Sequence, residues 1–228
     1  MKPASVRAVA DDVLQITLSA RVEVHAYLLG DVLVDAGTSA SLPQLLAALD
    51  GRAVAAHVVT HAHGDHIGGS AGVVERFGLE GIAVGAGDAP AARDGRQVFS
   101  RALSGRLLRR LGAGGFPPVA VTRRAVEGDL VGPGFVVRET PGHSAGHVVL
   151  WRERDRLLVC GDVLTTQHPL TGKPGLYEPP RPFTPDPRRN REAVRWLADL
   201  QPRTVCCGHG PVLRDAAAAL SRLAANLA

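Results

Sequence analysis

Apolar residues in the first third of the chain fall in short runs separated by turn signals. Residues 13–18, 24–29 and 31–35 read as strands, and Gly30-Asp31 between the last two marks a hairpin turn. The period then changes. Leucines recur at helical spacing over 41–49, with Pro43 acceptable in the first turn. A strand is predicted over 53–60, a helix over 70–77 closed by Gly78, and a brief strand over 82–84. From 85 to 134 the pattern weakens. Leu103, Leu107, Leu108 and Leu111 predict a helix over 101–111, followed by a Gly/Pro-rich loop at 112–118, so this segment reads as an insert or lid. Strands return at 135–139, 148–151 and 157–160. A proline-rich loop spans 167–187, and an amphipathic helix over 188–200 is capped by Asp186 with Pro187 at its first position. A strand at 204–207 and an alanine-rich helix at 212–227 complete the pattern. Two packed sheets with helices outside, in one domain over 1–228, accommodate this order.

Against that frame, polar donors sit at the ends of apolar strands. The densest group is Thr60-His61-Ala62-His63-Gly64-Asp65-His66-Ile67-Gly68-Gly69. Imidazole nitrogen and carboxylate oxygen suit borderline divalent cations, and a tight loop can aim several inward. A polar turn that merely happens to be rich in histidine is the bland alternative. Three further stretches repeat the theme: Thr140-Pro141-Gly142-His143, Gly161-Asp162 and Gly208-His209-Gly210. Each places a glycine beside the donor, which removes side-chain bulk and lets the backbone turn. Singly, each is an ordinary turn; the ordered set is a metal-site signal.

Composition narrows the partners. Of 228 residues 45% are hydrophobic but only 4% aromatic, so the core must be built from Val, Leu and Ala. The formal charge of +4 comes almost wholly from scattered arginines, since only Lys2 and Lys173 are lysines. No aromatic side chains interleave with them to stack bases, so nucleic acid is not the expected partner. No run approaches the length of a membrane span, and the N-terminus lacks the apolar stretch of a secretory signal. Cys160, Cys206 and Cys207 are odd in number with two adjacent, which is no disulfide framework; a reducing cytoplasm is expected.

Taken together, His61-Ala62-His63-Gly64-Asp65-His66, His143, Asp162 and His209 resemble the metallo-β-lactamase-fold hydrolase superfamily over nearly the whole chain. The resemblance implies an α/β architecture of αββα type, two mixed sheets packed face to face with helices outside and a two-metal site at one edge. It implies His61, His63 and His143 on the first metal, Asp65, His66 and His209 on the second, and Asp162 bridging. It further implies a hydrolase that uses a metal-bridging hydroxide, with Asp65 a ligand that also orients the water or receives its proton. The cofactor is then two divalent ions, zinc by default, with iron or manganese suited to the same donors.

Substrate signals are mostly negative. The commonest zinc β-lactamases resembling this pattern have cysteine where Asp162 stands, and they are exported. Glyoxalase II-like thioesterases carry Gly-Cys-Gly-Arg soon after the bridging aspartate and a helical C-terminal domain; here Val163-Leu164-Thr165-Thr166-Gln167-His168 follows. Quorum-quenching lactonases usually place tyrosine where Thr165 stands. The expected substrate is therefore a small ester-like molecule: a thioester, lactone or carboxylic ester. Phosphodiester hydrolysis, as in related nucleases, and iron-dependent oxidation of a thiol or persulfide stay open as alternatives. Among the remaining polar residues, His147 is expected to support a ligand, and Ser144 to bond a ligand or backbone. His25 and His57 are expected to be structural, His168 to lie in a loop over the site, and Cys160 to be a core residue.

Overall fold

A computed structural model describes residues 3–19, 23–111, 114–169 and 171–227. Gly112, Ala113 and Leu170, within the two loops expected at 112–118 and 167–187, lie outside the described residues. The first sheet runs in chain order: β1 (Ser5–Ala10), β2 (Val13–Ser19), β3 (Val24–Leu29), β4 (Val32–Val34), β5 (Ala56–Val59), β6 (Ile82–Gly85) and β7 (Val121–Ala125). β1 to β4 form an antiparallel meander, and β4 to β7 are parallel. The second sheet has β8 (Leu130–Val131), β9 (Phe135–Glu139), β10 (Val148–Arg152) and β11 (Leu157–Gly161). After β12 (Thr165–Gln167) and β13 (Pro174–Tyr177), which pair apart, it is completed by β14 (Thr204–Cys207) and β15 (Leu213–Arg214).

The layers follow from what each face touches. Tyr27, Leu29 and Val34 of the first sheet meet Phe135, Val137, Leu150, Val159 and Cys206 of the second in one buried core. On the outer face of the first sheet, α1 (Leu42–Ala48) and α3 (Ser70–Phe77) set Leu45 and Val73 on Ile16, Leu28 and Leu33. On the outer face of the second, α6 (Pro187–Asp199) and α7 (Ala217–Asn226) set Val194, Leu197 and Leu220 on Val149, Leu158 and Val205. This is the αββα arrangement. Central strands such as β3, β10 and β11 are buried along their whole length, which is why they read as continuous apolar runs rather than alternation.

The segment over 85–134 carries α4 (Ala89–Asp94) and α5 (Leu103–Arg110), and it also supplies β7 and β8 to the two sheets. α5 lies within the predicted span but turns two of its three leucines outward: Leu103 is 84% exposed and Leu107 57%, while Leu108 is half-buried. The position it presses inward is Gly105, where an added Cβ would lie 2.2 Å from the Ser100 carbonyl oxygen. Helical spacing identified the helix but not its inner face. The final helix starts at Ala217 rather than 212, because residues 213–214 pair with β14 instead.

Strand direction brings the donor loops together. In a parallel pair, the C-terminal ends of both strands share an edge. β4 and β5 thus deliver Asp35 and the His61–His66 stretch side by side, and β11 and β14 deliver Asp162 and His209. β10 runs antiparallel to β11, so the β9–β10 loop carrying His143 arrives at that same edge.

Candidate metal centre

The loop after β5 leads into a one-turn helix, α2 (Gly64–Ile67) in chain order, which holds Asp65 and His66. His61, His63, His66, His143 and Asp162 are buried; Asp65 and His209 are partly exposed at the pocket. Three sets of donors converge closely enough to share an ion: His61, His63 and His143; Asp65, His66 and His209; and His61, His66 and Asp162. Asp162 therefore joins a residue from each of the other two sets. Its Oδ2 lies 3.2 Å from His209 Nε2 and 3.7 Å from His143 Nε2, and its Oδ1 lies 3.5 Å from His66 Nε2. His209 Nε2 is also 3.2 Å from Asp65 Oδ2, and His63 Nδ1 is 3.0 Å from His143 Nε2.

The outward nitrogen of four imidazoles is held by protein. His66 Nδ1 donates to Asp35 Oδ2 at 2.8 Å, and His209 Nδ1 donates to the Glu23 carbonyl at 2.8 Å. Thr60 gives its hydroxyl proton to Asp35, leaving Oγ1 to accept from His61 Nδ1 at 3.1 Å. Thr184 likewise donates to the Pro180 carbonyl and accepts from His143 Nδ1 at 3.2 Å. With Nδ1 protonated, Nε2 is the nitrogen each ring turns to the centre, where it can bind a cation once it carries no proton. There, among the described residues, His61 Nε2, His66 Nε2 and Asp162 Oδ1 are buried without a hydrogen-bond partner, the last two facing each other at 3.5 Å. Buried polar atoms are rarely left so, and a cluster of them aimed together fits cations. Gly208 keeps this space open, since an added Cβ would lie 2.3 Å from His66 Cε1 and 2.4 Å from Asp162 Oδ1.

Electrostatics divides the donors. Burial lowers the pKa of His61, His63 and His143, so they stay neutral and available for coordination. Burial would also lower His66, but the carboxylates of Asp162, Asp65 and Asp35 outweigh it and push the imidazole up to about 10. Burial opposes ionisation of Asp162 and Asp65 too, and the neighbouring His209 and His66 charges more than offset this, holding both below the ordinary carboxylate range.

Supporting residues hold the loops. His147 Nε2 accepts the Asp162 backbone N–H at 3.1 Å, and burial lowers its pKa to about 3, so it remains a neutral acceptor. Ser144 donates to Asp88 at 2.5 Å, and that carboxylate also accepts from Ala62 N and Gly146 N, tying the His61–His63 loop to the His143 loop. His25 and His57 are buried and bonded to backbone carbonyls, and neither belongs to a converging donor set among the described residues. His168 packs against Tyr177 rather than among the donors. Cys160 is fully buried, and burial raises its thiol pKa, which suits a core residue.

Asp35 and Asp88 were missed by sequence reasoning. Asp35 carried a usable signal: like the donors, it ends a strand and has a glycine close by, Gly37. It also adopts φ 58°, a left-handed conformation uncommon outside glycine. Asp88 carried a signal too, since it follows the strand predicted at 82–84 with Gly87 directly before it, although the weak pattern after residue 85 obscured it.

The sequence profile of the Metallo-beta-lactamase superfamily matches residues 21–209. The chain belongs to that superfamily. Among relatives of this superfamily, the probable metallo-hydrolase YflN of Bacillus subtilis is 40% identical over 77 residues, 31% of this chain and 29% of YflN. A hydroxyacylglutathione hydrolase of Methylobacterium nodulans is 33% identical over 167 residues, 72% of this chain and 51% of that protein. The matches thus span about a third and about half of those relatives' lengths. TTHA1623, solved in a di-iron-bound form, superposes with a TM-score of 0.64 at 27% identity over 89% of this chain and 95% of its own. No helix among the described residues is long and apolar enough to cross a membrane.

Proposed function

We propose that the protein is a dinuclear metal-dependent hydrolase of small, neutral ester-like substrates: thioesters, lactones or carboxylic esters. The observation that carries this is the convergence beside a pocket of His61 Nε2, His66 Nε2 and Asp162 Oδ1, buried and without a hydrogen-bond partner among the described residues. In this reading His61, His63 and His143 hold one ion, Asp65, His66 and His209 the other, and Asp162 both. Two bound divalent ions would acidify water and polarise a substrate carbonyl. Asp65, partly exposed toward the pocket, orients the attacking water and takes its proton.

The pocket supports a neutral substrate. It encloses about 280 Å³ and is walled by Phe183, Pro169 and Pro180 beside the donors, with no Lys or Arg among the described residues that line it. A phosphodiester's permanent negative charge would find no Lys or Arg among the described residues of that wall. Zinc is the metal proposed from the donor chemistry; the di-iron-bound relative gives iron specific support as the second reading. The buried free thiols of Cys160, Cys206 and Cys207 suit a reducing cytoplasm.

Elemental analysis with a substrate panel tests this. The expected result is about two metal ions per chain, with turnover of thioester, lactone or aryl ester exceeding that of a phosphodiester. One iron per chain with oxygen uptake on a thiol would instead establish the oxidoreductase reading.

Metal uptake should also depend on pH. In the metal-free protein, His66, with its pKa pushed up to about 10, and His209, whose pKa is also raised, are protonated at neutral pH. An incoming ion must displace those protons, so apparent affinity should rise with pH across roughly 6 to 9 and binding should release protons. Calorimetric titration in buffers of different ionisation enthalpy measures this directly; pH-independent uptake would contradict the assignment of His66 and His209.

A further inference from the structure

Gln97 forms one side of the pocket, and its amide is committed at one end only. Oε1 accepts the backbone N–H of Gly64 at 2.9 Å, at the first residue of α2. That bond fixes which way the amide faces, because the flipped group would set one N–H against another. Nε2 therefore points away from Gly64, and no described residue accepts from it. The backbone here is anchored: Gln97 N donates to the Gly114 carbonyl at 3.0 Å, and a Cβ at Gly114 would lie 2.4 Å from Gln97 Cγ.

The other uncharged polar residues of the wall are occupied. Gln167 accepts from Glu23 N at 3.0 Å and donates to the Gly172 carbonyl at 3.2 Å. Thr165 gives its hydroxyl proton to the Gln167 carbonyl at 2.9 Å. What remains is candidate metal ligands and apolar side chains. Apolar pockets fix ligand orientation through a few placed polar groups, and here one amide donor is free to do so.

We propose that Gln97 Nε2 binds the substrate, donating to an oxygen of a neutral acyl group and so favouring uncharged carbonyl compounds. This rests on the ester-hydrolase reading. A second role, closing the start of α2 through Oε1, is separable by substitution. Gln97→Glu keeps an oxygen for Gly64 N–H and removes the donor; Gln97→Met removes both.

The test uses 4-nitrophenyl acetate as substrate and its slowly hydrolysed isostere 4-nitroacetanilide as a competing ligand, with metal content and Tm recorded. In both variants kcat/KM should fall, and the dissociation constant of the anilide rise, by about tenfold, the scale of one lost hydrogen bond. Gln97→Glu should keep wild-type metal content and Tm. Wild-type values of both constants in Gln97→Glu, or losses confined to Gln97→Met, would overturn the proposal and leave Gln97 a helix cap. A wild-type protein inert toward every ester, yet binding the anilide more tightly than Gln97→Glu does, would refute the hydrolase reading while supporting this one. Failure of the wild type to bind the anilide overturns the Gln97 proposal.

Discussion

Replacing Asp65 by alanine is expected to lower kcat for a neutral ester by about 10³-fold or more while the protein stays folded. Asp65 belongs to the His66 and His209 donor group, and its Oδ2 lies 3.2 Å from His209 Nε2. Its removal takes one anionic donor from the second proposed ion and, with it, the group assigned to receive the proton of water. The fold should tolerate the change, because the side chain is 39% exposed and lies in none of the four hydrophobic clusters. Metal content should drop toward one ion per chain, with an unchanged circular dichroism spectrum. Full activity with two ions retained would refute the role given to Asp65.

Asp35→Asn should weaken metal affinity by roughly 10- to 100-fold, although Asp35 is not a proposed ligand. The carboxylate accepts from His66 Nδ1, Thr60 N and Thr60 Oγ1, so it orients one imidazole directly and another through the threonine hydroxyl. Asparagine keeps the shape but has one oxygen; its NH₂ would meet either His66 Nδ1–H or the Thr60 donors. Asparagine also tolerates the left-handed φ of 58° at this position, so the backbone should not confound the result. Affinity measured by chelator competition decides the matter, and a wild-type constant would show that His66 is oriented by its surroundings without Asp35.

Much of the candidate site was legible because its densest part is local. His61 to His66 lie on one loop, and their donor types and spacing need no tertiary knowledge to suggest a metal. The helices with explicit end signals were equally readable. α6 begins at Pro187 with the Asp186 carboxylate accepting from Arg189 N at 3.0 Å, and α3 ends at Gly78 with φ 65°. Short edge strands such as β1, β8, β13 and β15 were not readable, since each pairs on one side only, with the strand next to it in the chain, and buries too few apolar side chains to leave a pattern. The same limit applied to α5, where periodicity reported an amphipathic helix but could not report which face had anything to pack against.

What the sequence determined by itself was therefore local chemistry: donors at strand ends, glycines beside them, and caps that start and stop helices. Tertiary structure decided which donors meet. Parallel pairing of β4 with β5 and β11 with β14 puts Asp35, His61, Asp162 and His209 at one edge, and Asp88 ties two of the loops across a gap of 56 residues to Ser144. Only that assembly distinguishes imidazoles with protein-held outer nitrogens and unpartnered inner ones from histidines that merely satisfy backbone carbonyls. The physical reason is that a lone pair's vacancy is a property of three-dimensional neighbours, and no residue's neighbours across a sheet are written in its own stretch of chain.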